Sequence, residues 1–193
     1  MSKTKKGRKQ NSINIPKGSR SKTPRCKVNK IRKEIAIKTV KKTGLSDTKI
    51  ECFLSNSSHF LGCFAQDELR NITIKSLPIF LIVNLDHSYS EGTHWIALRI
   101  DETSLEIFDS LGFNFLRWPN IPHFLLDFLN KYSKNRKILI SNELQPYNST
   151  LCGFYCIFFV LYRATNTFSS CNNIFSNQLY KNDKILVNFF NKL

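Results

Sequence analysis

A cysteine at the start of an apolar run is the residue in this chain that most clearly could act as a nucleophile. Cys152 is followed by Gly153 and then by a run of apolar residues, so its thiol is predicted to lie at a helix N-terminus. The helix dipole favours a thiolate there. For a single cysteine beside a core helix, a buried structural thiol is the commoner role. Whether Cys152 is a nucleophile therefore depends on the residues that can surround it.

A histidine and an aspartate occur at the ends of two neighbouring predicted strands. His94 begins a strand after Glu91-Gly92-Thr93, and Asp109 ends the next strand beyond a short turn. Side chains so placed can meet across the two strands. A carboxylate there would hold the imidazole in one tautomer and stabilise its protonated form. The ordinary alternatives are a structural histidine and a turn-forming aspartate.

A polar loop, Gln145 to Thr150, leads into the predicted Cys152 helix. The side-chain amide of Gln145 and the backbone N–H of Cys152 would form a two-donor oxyanion hole. A solvated loop glutamine is the alternative. The order His94, Asp109, Gln145, Cys152 is nevertheless a specific combination for nucleophilic catalysis by cysteine.

The elements predicted to position these residues form one α+β domain. Ser46 is a candidate helix N-cap, so the fold is expected to begin near Gly44. Runs rich in β-branched and apolar residues predict strands over 79–85, 94–100, 105–109 and 137–141, with a hairpin turn about 101–104. Helical periodicity predicts helices over 119–132, 152–163 and 177–192. Because 152–163 is apolar on nearly every side, we expect a mixed sheet around a central buried helix with Cys152 at its N-terminus.

Most of the basic charge lies at the N-terminus. Residues 1–42 contain 16 of the 29 basic residues and one acid, Glu34, within a net charge of +15. Residues 1–43 contain few large apolar side chains, which predicts a disordered basic arm in front of a domain spanning 44–193. Such an arm favours salt-sensitive contact with DNA, and the run Lys3 to Lys9 fits a nuclear import signal. A solubilising tail without a partner is the alternative.

The cysteine content indicates a reducing compartment. Six cysteines without a secretory signal predict free thiols, and no apolar run approaches the roughly 20 residues of a membrane helix. Cys52, His59 and Cys63 lie close together in sequence, but their spacing matches no tetrahedral zinc pattern and a fourth ligand is not evident. We therefore expect no metal site.

Five stretches of the chain resemble the adenovirus endopeptidase (adenain) family of viral cysteine proteases, within the clan that also contains the SUMO proteases. They are His59-Phe60-Leu61-Gly62-Cys63-Phe64, Gly92-Thr93-His94-Trp95, Ile107-Phe108-Asp109-Ser110-Leu111-Gly112-Phe113, Gln145 with Asn148-Ser149, and Cys152-Gly153-Phe154-Tyr155-Cys156. By this resemblance the catalytic residues are His94, Asp109, Gln145 and Cys152. An aspartate at 109 is typical of the SUMO-protease branch, whereas Leu151 and the spacing of Gln145 match the adenain side.

The resemblance also implies substrates, partners and a location. It implies a monomeric cysteine endopeptidase that cuts viral structural precursor proteins near Gly during virion maturation, in the virion and the host nucleus. The resemblance implies no metal or organic cofactor for the chemistry. It does imply activation by DNA or by a viral peptide. No cysteine lies between Cys63 and Cys152, so the family's disulfide attachment of that peptide does not carry over. The basic arm is a candidate replacement for part of that activation.

Two other functions remain open on the sequence. A SUMO-type protease for ubiquitin-like modifiers would share the same four residues and differ in recognising a folded partner with a Gly-Gly tail. A catalytically silent, nucleic-acid-binding structural protein would explain the basic arm. The intact set of His94, Asp109, Gln145 and Cys152 argues against the silent protein.

Overall fold

A five-stranded mixed sheet forms the centre of the protein, whose computed structural model describes residues 44–112 and 121–192. The strands lie side by side in chain order: β1 (Phe60–Ala65), β2 (Ile79–Asn84), β3 (Trp95–Ile100), β4 (Ser104–Phe108) and β5 (Lys137–Ile140). The outer pairs, β1 with β2 and β4 with β5, are parallel, and the inner pairs are antiparallel. The predicted hairpin between β3 and β4 is confirmed, and its turn closes with the N–H of Asp101 on the carbonyl of Ser104 at 3.0 Å.

Helices cover both faces of the sheet. They are α1 (Asp47–Leu54), α2 (His123–Ser133), α3 (Cys152–Arg163), α4 (Phe168–Asn173) and α5 (Asn182–Phe190), with 3-10 turns at Gln66–Asn71 and Leu179–Lys181. Alternate side chains of each strand point to opposite faces, which separates the core into two clusters. One cluster contains α3 with Phe80, Ile82, Ala97 and Phe108, and the other contains α2 with Leu81, Leu98 and Ile107.

The helix α3 is buried from Cys152 to Val160, as the unbroken apolar run predicts. Its Phe159 ring stacks on Phe108 of β4, with ring centroids 4.6 Å apart. An aromatic pair of this kind contributes about 0.5–1.5 kcal/mol beyond the area that it buries. Tight packing on the sheet fixes the position of the helix N-terminus, and with it the thiol of Cys152.

Most of the predicted elements are confirmed, with corrections to the bounds of two helices. Ser46 caps α1 by accepting the N–H of Lys49. The helix predicted over 119–132 begins at His123, and residues 119–120 lie outside the described part. The helix predicted over 177–192 is instead a 3-10 turn followed by α5. The side-chain amide of Asn182, the first residue of α5, donates to the carbonyls of Ser176 and Leu144 and so fixes the start of this helix.

One strand and one α-helix were not predicted. The strand β1 contains Gly62 and a register irregularity between Phe60 and Gly62, which removes the period-two alternation by which strands are recognised. The short helix α4 is mostly polar, but it begins at a capping residue, Thr167, whose side chain accepts the N–H of Ser170. The predicted basic arm, residues 1–43, lies outside the described residues.

The cysteines differ from the expected set of free thiols at one position. Four described cysteines are free: Cys63, Cys152, Cys156 and Cys171. Cys52 is disulfide-bonded, so the prediction of a free thiol was wrong for this residue. Among residues 44–112 and 121–192, no helix is long and apolar enough to cross a membrane.

Candidate active site

The thiol of Cys152 lies at the first residue of α3 and is hydrogen-bonded to the imidazole of His94. Both residues are more than nine-tenths buried. Burial alone would raise the pKa of Cys152, but the hydrogen bond and charge of His94 oppose it, together with backbone hydrogen bonds from Trp95 and Gly153. The pKa of Cys152 consequently lies below its ordinary value, which favours the thiolate.

Asp109 holds the opposite side of the imidazole. The Nε2 atom of His94 donates to Oδ1 of Asp109 over 2.7 Å, and the aspartate is fully buried. Burial by itself lowers the pKa of His94, but the hydrogen bonds to Asp109 and Cys152 and their charges raise it to about 9. Because Nε2 is committed to Asp109, Nδ1 is the nitrogen that faces Cys152. The site therefore favours a thiolate–imidazolium pair at neutral pH.

The backbone of Asp109 is held by the end of the neighbouring strand, and its carboxylate by the turn that follows β4. The hydroxyl of Ser141, directly after β5, accepts the backbone N–H of Asp109 at 2.9 Å and donates to its carbonyl at 2.8 Å. The N–H of Leu111 donates to Oδ1 at 2.9 Å. The parallel pairing of β4 with β5 thus fixes the backbone of Asp109, and the local turn to Leu111 fixes its carboxylate.

Gln145 lies in the loop that enters α3 and is almost fully buried. Its Oε1 accepts the hydroxyl of Ser110 at 2.7 Å, and its Nε2 donates to the carbonyl of Ser149 at 2.8 Å. Gln145 is therefore an ordered part of the site, contrary to the alternative of a solvated loop residue. At the adjacent helix start, the first amides, including that of Cys152, have no partner within α3, since the first intrahelical bond joins Tyr155 to Leu151.

Leu45 ties the segment before α1 to β3 and to the start of α3. Its carbonyl accepts the indole N–H of Trp95 at 2.9 Å, next to His94. A Cβ on Gly153 would lie 3.0 Å from the Cβ of Leu45, closer than packed side chains normally approach. The glycine after Cys152 therefore lets Leu45 pack against the helix start.

A cleft of about 600 Å³ opens beside Cys152. Residues 44–47, the end of β1, the loop 87–93 and Trp95 line it. Its lining contains three acids, Asp47, Glu68 and Glu91, and neither lysine nor arginine among the described residues. The free thiol of Cys63 also lines the cleft, but burial and the nearby charges of Glu51 and Asp47 raise its pKa well above the ordinary value. Of the two thiols in this cleft, only Cys152 is favoured as a thiolate.

The structure brings three of the predicted residues, His94, Asp109 and Cys152, into one hydrogen-bonded series. The fourth, Gln145, lies in the adjoining loop. Sequence reasoning missed Ser110 and Ser141. The only local signal for either was a polar residue at the end of a predicted strand.

The groups considered for metal binding do not form a site. Among residues 44–112 and 121–192, no cluster of three or more His, Cys, Asp or Glu side chains could hold a metal ion. Cys52, one member of the set weighed from the sequence, is disulfide-bonded.

A buried thiol, an imidazole and a carboxylate in series at the start of a core helix define the class of this protein as a cysteine peptidase, a hydrolase. The sequence matches the adenovirus endoprotease family over residues 60–186, which is well over half of the chain. The chain belongs to that family.

Two solved protease structures resemble this chain at low sequence identity. The ASFV pS273R protease matches with a TM-score of 0.52 at 16% identity, over 81% of this chain and 69% of that chain. The C-terminal protease domain of Ulp1, solved in complex with SMT3, the yeast ortholog of SUMO, matches with a TM-score of 0.42 at 17% identity, over 85% of this chain and 91% of that chain. No curated protein sequence matches this chain.

Proposed function

We propose that the protein is a cysteine endopeptidase in which Cys152 is the nucleophile, His94 the acid and base, and Asp109 the group that orients His94. The observation that carries this proposal is the double engagement of His94, which contacts Asp109 through Nε2 and Cys152 through its other nitrogen. The opposite directions of the two pKa changes, down for Cys152 and up for His94, favour the reactive ion pair.

The reaction begins with attack of the Cys152 thiolate on a peptide carbonyl carbon. The oxyanion accepts hydrogen bonds from the backbone N–H of Cys152 and from the side-chain amide of Gln145. His94 then gives its Nδ1 proton to the leaving nitrogen, the C–N bond breaks, and a thioester remains. Water, deprotonated by His94, attacks the thioester, the C–S bond breaks, and the thiolate–imidazolium pair is restored. No step needs a metal or an organic cofactor.

Labelling with iodoacetamide at neutral pH tests the nucleophile. We expect fast alkylation of Cys152 in the native protein and slow alkylation of Cys63, because both thiols line the same cleft but their pKa values move in opposite directions. Cys63→Ala is the matched control, and it should retain both labelling and peptide cleavage. Equal labelling of the two cysteines would contradict the assignment of Cys152.

The substrates we propose are viral structural precursor proteins, cut near Gly residues during virion maturation. Membership in the adenovirus endoprotease family supports this choice. The test is a series of Gly-containing peptides compared in wild type and Cys152→Ala, beside labelling with a ubiquitin-like-modifier vinyl sulfone. Cleavage lost in Cys152→Ala without a modifier adduct supports the viral endopeptidase. A covalent adduct between the modifier and Cys152 would indicate a SUMO-type protease instead.

For the basic arm we propose contact with DNA, and with it partial activation of the enzyme in the virion and the host nucleus. The support is the excess of 16 basic residues over one acid in residues 1–42. Cleavage rates with and without DNA, for the full monomeric chain and for a chain lacking residues 1–43, test this. We expect DNA to accelerate the full chain in a salt-sensitive way. The same rate in all four conditions would refute the activation.

A further inference from the structure

We propose that Ser110 is a positioning residue for catalysis, which holds the side-chain amide of Gln145 so that one N–H is directed to the oxyanion. This inference rests on the proposed function. Ser110 directly follows the carboxylate residue Asp109 and is fully buried. Its hydroxyl donates to Oε1 of Gln145 over 2.7 Å.

Ser110 also holds the backbone of the loop. Its carbonyl accepts the N–H of Leu144 at 2.8 Å and the N–H of Gln145 at 2.7 Å. Three hydrogen bonds therefore join one residue to the loop that precedes Cys152. These bonds join the segment that follows β4, with Asp109, to the loop that carries Gln145.

The hydroxyl of Ser110 determines which way the side-chain amide of Gln145 points. A glutamine side chain has one carbonyl oxygen and two N–H groups. In Gln145 the oxygen accepts a hydrogen bond from the hydroxyl of Ser110, and one N–H donates to the carbonyl of Ser149 at 2.8 Å. The second N–H is the donor left for the oxyanion. Rotating the amide by half a turn would set its oxygen against the carbonyl oxygen of Ser149, so the bond from Ser110 reinforces the productive orientation.

The experiment measures peptide hydrolysis and Cys152 alkylation side by side in Ser110→Ala. Alkylation passes through no oxyanion, so a residue that acts only through Gln145 leaves the alkylation rate unchanged. Because removing an oxyanion donor outright costs about 100- to 1000-fold, we expect a misdirected donor to lower kcat by about 10- to 100-fold. We expect KM to stay near the wild-type value. The carbonyl bonds of Ser110 persist in the variant, which preserves the path of the loop.

Two comparisons separate positioning from a structural role. In a Gln145→Ala background, Ser110→Ala should have no further effect on kcat. Ser141→Ala is the matched control, since this second buried serine contacts the backbone of Asp109. It should slow alkylation and hydrolysis together. If Ser110→Ala does not fold, Ser110→Cys takes its place with the same expected pattern, because a thiol is only a weak donor.

Each remaining outcome has a definite meaning. Hydrolysis by Ser110→Ala at the wild-type rate would overturn the inference and leave the proposed function intact. A matching loss of alkylation, or a loss that adds to that of Gln145→Ala, would equally overturn positioning through Gln145. Absence of Cys152-dependent hydrolysis in the wild type would overturn the proposed function, and the inference with it.

Discussion

Replacing Asp109 with asparagine should narrow the pH range over which the enzyme works. The pKa of His94 lies at about 9, against an ordinary value of 6.5. At 1.36 kcal/mol per pKa unit this difference corresponds to roughly 3 kcal/mol, contributed by Asp109 and Cys152 against the opposing effect of burial. If Asp109 contributes half of it, Asp109→Asn should lower the pKa of His94 by about one unit.

The geometry of the site predicts that the variant keeps some activity. The N–H of Leu111 donates to Oδ1 of Asp109, so an asparagine would place its amide oxygen there and still accept the Nε2 proton of His94. The tautomer is preserved and only the charge is lost. A neutral hydrogen bond is weaker than a charged one by about 1–2 kcal/mol, so we expect a decrease of about 5- to 30-fold in kcat/KM near pH 6.

The assay is kcat/KM for a cleavable peptide between pH 5 and 10. In the wild type, activity rises as Cys152 loses its proton at its lowered pKa and falls as His94 loses its proton near pH 9. In Asp109→Asn the falling limb should move to lower pH. The rising limb should move little, because an imidazole whose pKa falls by about one unit from about 9 is still protonated on the acid side of the range. Asp127→Asn, which removes an exposed carboxylate of α2, is the control. Unchanged limbs in Asp109→Asn would refute the reasoning.

Three further changes have defined outcomes. Glu106→Gln removes the fully buried carboxylate that binds Arg163 at 2.8 Å, and should lower the free energy of unfolding by about 3–5 kcal/mol in urea titrations. Arg163 ends α3 about 16 Å from Cys152, so alkylation of the folded protein should not change. Gly92→Ala places a side chain at φ +81° against the side chain of Asn84. We expect thermal unfolding to show a free energy of unfolding lower by about 1–3 kcal/mol, and no such decrease in the control Gly44→Ala. EDTA should leave peptide cleavage unchanged, and a loss restored by added metal would contradict the metal-free mechanism.

Periodicity along the chain was enough to predict the elements that position Cys152, His94 and Asp109. The apolar run from Cys152 to Arg163 predicted the buried helix, and the strand pair around Asp101 predicted the hairpin that carries His94 and Asp109. Both signals are local, since helical and strand patterns repeat within a few residues. The strand β1 escaped prediction because Gly62 and a register irregularity break its pattern.

By itself, the sequence determined which residue types were available for catalysis, their order, and the family to which the chain is similar. Only the tertiary structure decided how they are supported. Ser110 meets Gln145 and Ser141 meets Asp109 across 35 and 32 residues of chain. Such contacts depend on the parallel pairing of β4 with β5, which brings together segments about 30 residues apart in the chain. No local pattern encodes that pairing, which explains why His94, Asp109, Gln145 and Cys152 could be proposed from the sequence and the two serines that contact Asp109 and Gln145 could not.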